Sequence, residues 1–206
     1  MNGTLLSFAA LLASVASFPA MAQTQVNAPD TGPDTGPVGG VFVEQVGSGN
    51  DASLTQSGSA QNIDVKQDGD DNTVDVTQTG DGDHFAGIDQ TGSANIATVS
   101  QAGDAQSVAI ISQTGSANTA LLSQNDNGLI GSSAGIAQNG NGNLATLLQD
   151  GSDNQAILAQ NGDNNTMTAT QLGDGNSLEW TQTGNGLPDM AIVQSGGATA
   201  IVTQGN

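Results

Sequence analysis

The chain has 206 residues, with 20 acidic side chains against a single lysine, no arginine and a net charge of −19. Aromatic residues make up 2 %, cysteine and tyrosine are absent, and glycine reaches 29. These values exclude an aromatic-rich globular core, a disulfide framework, a thiolate metal site, and binding to nucleic acid or anionic membranes, which need clustered Lys and Arg.

Leu5 to Phe18 is a short apolar run, shorter than a comfortable bilayer span. It ends in Ala20-Met21-Ala22, the small-x-small pattern of a signal-peptidase site, followed by Gln23. Residues 1–22 therefore read as a signal peptide cleaved between Ala22 and Gln23, although no Lys or Arg precedes the apolar run. No long apolar stretch recurs, so membrane insertion is not expected. Residues 23–40, QTQVNAPDTGPDTGPVGG, carry Pro29, Pro33 and Pro37 among Gly, Asp and Thr and read as a flexible leader.

From residue 41 to 206 a glutamine paces the chain: Gln45, Gln56, Gln67, Gln78, Gln90, Gln101, Gln113, Gln124, Gln138, Gln149, Gln160, Gln171, Gln182, Gln194 and Gln204. Most spacings are 11 or 12 residues. The position two before each glutamine is apolar throughout, as Val65, Val76, Ile111, Leu122 and Trp180 illustrate. So is the position four before, including Ala52, Val74, Met167 and Met190. Apolar residues at i, i+2 and i+4 follow the strand period, so each arc predicts a strand of about five or six residues. Two residues after each of the first fourteen glutamines comes a turn glycine: Gly47, Gly58, Gly69, Gly80, Gly92, Gly103, Gly115, Gly140, Gly151, Gly162, Gly173, Gly184 or Gly196, with Asp126 the exception. The same residue at the same place in every strand points to an all-β solenoid, in which each strand stacks on its counterpart one coil away.

The inward glutamine gains a partner of the same kind six residues earlier on the same face. Asn50, Asn72, Asn95, Asn118, Asn143, Asn154, Asn165 and Asn176 stand there, with Gln61, His84, Ser107 and Ser132 in other arcs. A buried amide is expensive alone, but an amide stacked on its copy about 4.8 Å away donates to one neighbour and accepts from the other. Such a ladder satisfies itself only while it continues, so its ends favour polymerisation.

QVGSGNDASLTQ, QTGSANTALLSQ and QNGNGNLATLLQ resemble the curlin repeat of curli fibres, Gln-x-Gly-x-Gly-Asn-x-Ala-x-x-x-Gln, and Ser107–Gln113 and Ser132–Gln138 resemble its serine form. The likeness covers the glutamine-paced region. It implies a two-sheet cross-β solenoid of two arcs, or about 22 residues, per coil. It further implies a secreted amyloid-forming subunit of an extracellular fibre at the bacterial surface, serving adhesion and biofilm matrix. The partners implied are further copies of itself, a second curlin-type subunit and an outer-membrane export apparatus, with no cofactor. Departures are a run of four Asn-led arcs from Asn143, a three-residue insertion after Gln124, Pro188 inside an arc and the absence of tyrosine.

Other readings rank lower. His84, the single histidine, occupies a ladder position, and with one His no Ser-His-Asp arrangement is available. Asp68, Asp70 and Asp71 suggest calcium, yet the calcium-binding β-roll has a nine-residue period. Gly80-Asp81-Gly82 lacks the helix and lysine of a phosphate loop. An ice-binding solenoid would need a threonine row, and Thr55, Thr77, Thr170, Thr181 and Thr203 supply it in five arcs. A β-helix enzyme lacks a catalytic cluster. Aspartates crowd residues 51–90 and thin out over 91–149, so the central strands are expected to nucleate assembly.

Overall fold

The computed structural model describes residues 13–14, 39–58 and 60–206. The expected cleavage point at Ala22–Gln23, the expected signal peptide apart from Ala13–Ser14, and the expected leader up to residue 38 lie outside them.

Alternation of inward apolar and outward polar side chains builds two sheets. The odd sheet holds β1 (Ala13–Ser14), β3 (Asp51–Ser57), β5 (Thr73–Thr79), β7 (Ile96–Ala102), β9 (Thr119–Asn125), β11 (Leu144–Asp150), β13 (Thr166–Leu172) and β15 (Ile192–Ser195). The even sheet holds β2 (Gly40–Val46), β4 (Asn62–Asp70), β6 (Phe85–Ser93), β8 (Val108–Ser116), β10 (Ser133–Asn141), β12 (Gln155–Asn161), β14 (Ser177–Thr183) and β16 (Thr199–Gly205). From β2 to β16 the chain alternates between sheets and every pairing is parallel, which makes a two-sheet β-solenoid of two arcs per coil. The short β1 pairs antiparallel to Leu54 and Ser53 of β3.

Most strands run to 7 residues and four of them to 9, longer than the five or six the sequence predicts, because ladder pairing continues past the glutamine into the turn. Strand β5 shows the local logic: Val74, Val76 and Gln78 are buried while Asp75 points outward. The rows two and four before the glutamines form one continuous core between the sheets. Fully burying each Val, Leu or Ile contributes roughly 1.5–3 kcal/mol.

The turn glycines keep the coils in register. Gly92 sits at φ 118°, and a Cβ there would overlap the carbonyl oxygen of Gly115 in the next coil. Only glycine lets two turns stack at the spacing of adjacent strands.

One arc departs from the predicted inward rows. Met190 is exposed, and β15 is cut to 4 residues. Pro188, which lacks an N–H, stands where other arcs place the ladder residue. Buried Leu187 takes that place instead, donating its N–H to Asn165 Oδ1 at 3.0 Å. The chain then bulges through Ala191 at φ 46° before rejoining the ladder at Ile192.

Candidate functional site

Register places glutamine on glutamine in both sheets. In the even sheet Gln45, Gln67, Gln90, Gln113, Gln138, Gln160, Gln182 and Gln204 pair in order. In the odd sheet the order is Gln56, Gln78, Gln101, Gln124, Gln149, Gln171 and Gln194. Each Nε2 donates to the Oε1 of the next coil, as in Gln67 to Gln90 at 2.9 Å, Gln90 to Gln113 at 2.8 Å and Gln124 to Gln149 at 2.8 Å. Bonded partners lie 22, 23 or 25 residues apart.

The remaining Nε2 hydrogen crosses the core. Gln90 donates to the Thr73 carbonyl at 3.1 Å, Gln101 to Phe85 at 3.0 Å and Gln113 to Ile96 at 3.0 Å. Each interior glutamine thus joins two coils and both sheets with one amide, and both of its donor hydrogens are used.

The residues six positions earlier fall into two different stacks. Asn50, Asn72, Asn95, Asn118, Asn143 and Asn165 all belong to the odd side. The even side receives Gln61, His84, Ser107, Ser132, Asn154 and Asn176. On the odd side each later Nδ2 donates to the earlier Oδ1: Asn72 to Asn50 at 3.2 Å, Asn95 to Asn72 at 3.1 Å, Asn118 to Asn95 at 3.1 Å and Asn143 to Asn118 at 3.0 Å. Asn165 joins through its backbone N–H to Asn143 Oδ1 instead. This stack runs opposite to the glutamine ladder beside it, so the two rows of amide dipoles oppose one another. Asparagine Nδ2 also donates to the turn-glycine carbonyl one coil on, as from Asn95 to Gly115 at 2.9 Å.

The even stack is irregular. Asn176 donates to Asn154 at 2.9 Å, and Asn154 N–H donates to Ser132 Oγ at 3.2 Å. His84 is buried, with Nε2 at 3.2 Å from the carbonyls of Thr79 and Gly103 and Nδ1 accepting from Ser107 N–H at 3.3 Å. Those partners assign the proton to Nε2, and the ring does the work of a ladder amide. Ser107 Oγ has no partner, and neither has the indole N–H of the fully buried Trp180.

All thirteen turn glycines adopt positive φ. A second left-handed position just before the ladder residue escaped the sequence reading. Ala60, Asp71, Ala94, Ala117, Asp153 and Asn164 hold φ of 54–57° there, and Gly49, Gly142 and Gly175 occupy it in other arcs. Those glycines were the available signal. Asp126 was also missed as an interior group: it is buried, accepting from Ser132 Oγ at 2.9 Å and Gly128 N–H at 3.1 Å, and so closes the inserted turn.

Asp70 accepts both the N–H and the hydroxyl of Ser48, at 2.9 and 2.7 Å, and these bonds hold its carboxyl below the usual value of 3.8. Among the described residues no three His, Cys, Asp or Glu side chains are grouped to hold a metal ion, and no helix is long and apolar enough to cross a membrane. Thr55 and Thr77 stack on Ser100, Ser123 and Leu148 before Thr170, while Thr181 and Thr203 lie in the other sheet, so no continuous threonine row forms.

At the ends of the described solenoid the ladders stop. Gln45, Gln56 and Gln204 are only partly buried, unlike the glutamines between them. Gln45 and Gln56 present Oε1 as acceptor at one end. At the other, Nε2 bonds only backbone carbonyls: Pro188 for Gln204, which keeps one hydrogen over, and Ser177 and Ala198 for Gln194.

The profile of the Curlin associated repeat family matches residues 40–69, 69–103, 131–162 and 151–184, together more than half of the chain. Neither the curated proteins nor the solved structures gave a match. Family and solenoid alike are structural and not enzymatic in kind. The matched stretches fall on the stacked coils, and the chain belongs to the Curlin associated repeat family.

Proposed function

We propose that the chain is a secreted structural subunit that adds end to end into extracellular, curli-like amyloid fibres. Its sites are the two solenoid ends. One end offers amide oxygens and the other amide hydrogens, so a second copy stacked in the same direction continues both glutamine ladders and the backbone pairing. Unpaired strand edges are a liability that soluble proteins blunt; here they are the working surface. The opposed termini of the ladders are the observation that carries this reading.

On this reading residues 1–22 direct export, cleavage leaves Gln23 first, and residues 23–40 tether the solenoid. A second curlin-type subunit and an outer-membrane export apparatus serve as partners. Adhesion and biofilm matrix follow as roles of the fibre, and catalysis has no part in them. The test is fibre diffraction and electron microscopy of the purified chain from Gln23. The expected result is fibres with spacings of about 4.8 and 10 Å. A chain that stays monomeric for days at high concentration refutes the proposal.

A further inference from the structure

The outer face of the even sheet carries a row that none of the ladder chemistry uses. Three residues before each glutamine, Phe42, Asp64, Gly87 and Ile110 stack in register, and Gly135, Ile157, Glu179 and Ile201 continue the column. The isoleucines stand out from the sheet: Ile110 is 44 % exposed, Ile157 59 % and Ile201 75 %. Between Ile110 and Ile157 lies Gly135, where an added Cβ would meet nothing within 4 Å. This is the floor of a groove of about 340 Å³. The gap at Gly87 is shallower, because the Phe85 ring and Ile110 lean over it.

Knobs and gaps alternate here at the strand spacing, and the column is complementary to its own reverse. A two-fold axis parallel to the strands, between β8 and β10, lays two copies face to face with their long axes antiparallel. Ile110 then enters the partner's Gly135 gap, and Ile157 packs on the partner's Phe85 and Gly87. Phe42 meets the partner's Ile201. The partner's Glu179 falls opposite Asp64 and beside Lys66, the only Lys or Arg of the chain, which is exposed on the same face two residues further along β4. A shift of the axis by one strand towards β12 would set Ile110 against the partner's Glu179, and one towards β6 would set Asp64 against the partner's Gly135 gap, so of these registers the first keeps both carboxylates off the apolar contacts.

Charge limits where on this face two copies can meet. At a net charge of −19, two copies can approach only where carboxylates are sparse or paired. Strands β8, β10 and β12 bear no charged side chain. We propose that the outer face of the even sheet is a self-complementary docking surface for a second copy of the chain, built on the Ile110–Gly135 and Ile157–Gly87 contacts and the Lys66–Glu179 pair. Such an isologous contact closes on itself and pairs rods, or fibres, side by side. It is read from the flank of the solenoid and not from its ends, so absence of fibre growth would leave it standing.

Sedimentation of freshly prepared chain and electron microscopy of any fibres supply the test. Side-by-side pairs are expected for the unaltered chain. Gly135→Ile fills the gap at a position outside the left-handed region, and Lys66→Glu removes the charge match. Each is expected to weaken pairing on the order of tenfold while circular dichroism stays unchanged. Lys66→Glu combined with Glu179→Lys is expected to restore it. Single rods from the unaltered chain, variants that pair as tightly as it does, or a charge swap no better than Lys66→Glu alone would each overturn the proposal.

Discussion

Residues 51–90 and 91–149 fold into coils with the same inner rows, yet the first stretch carries nine aspartates and the second only Asp104 and Asp126. Val65 and Val76 in one are as buried as Ile111 and Leu122 in the other, and Gln67 and Gln124 make the same bonds to the next coil. Most of the aspartates sit in turns or point outward, and the ladders pass beneath them unchanged. Inward rows therefore decide that the coils form. Outward charge is where the two stretches differ.

The largest effect should come from placing charge in the core of each region. Ile111→Asp with Leu122→Asp is expected to lengthen the lag of fibre formation many-fold more than Val65→Asp with Val76→Asp. Each of these carboxylates is costly to bury, but only the central pair interrupts the segment expected to nucleate. A peptide of Gln101–Gln124 should likewise fibrillise where one of Gln56–Gln78 lags. Equal lags, followed by dye binding, would dissolve the distinction.

Removing a ladder amide should instead affect both regions alike. Gln101→Leu deletes bonds to Gln124, Phe85 and Ser107 and leaves the Gln78 donor unpaired; Gln67→Leu does the same for its neighbours. About 2–4 kcal/mol is expected at each site by denaturant unfolding. A clear inequality would show that the interiors are not equivalent.

Acid should narrow the gap between the regions. Protonation relieves carboxylate repulsion as pH falls towards about 4, so assembly should be faster at pH 4.5 than at pH 8 in matched salt, with most gain for the 51–90 coils. Asp70 works the other way. Its folded-state pKa is lowered by Ser48, so its contribution is present above the ordinary value of 3.8 and is lost as pH falls through the lower folded value. The Ser48–Asp70 bonds accordingly survive at pH 4.5, and hydrogen exchange of the Ser48 amide should rise only in stronger acid.

The smallest effect belongs to the left-handed alanines. Ala60→Gly in the acidic coils and Ala117→Gly in the central ones should each relieve about 1 kcal/mol of backbone strain, partly offset by greater freedom in the unfolded chain. Thermal unfolding is expected to shift upward slightly and equally.

The sequence by itself determined the strand period, the inward rows, the left-handed turn glycines and the presence of interior amides. All of these are local: the residue at each position needs only its own neighbours to show whether it faces in, out or round a turn. Tertiary structure decided which arcs share a stack. The Asn-led positions divide between the sheets because each coil takes two arcs, and so Asn50 to Asn165 form one row while His84 and Ser107 share the other with Asn154. The opposed directions of the ladders and the cross-core bonds of each glutamine depend on where amides land after the chain has turned. The exposure of Met190, the entry of Leu187 and the burial of Asp126 arise where an insertion or a proline breaks the period, because the coils on either side hold their register and the odd residues must fit around them.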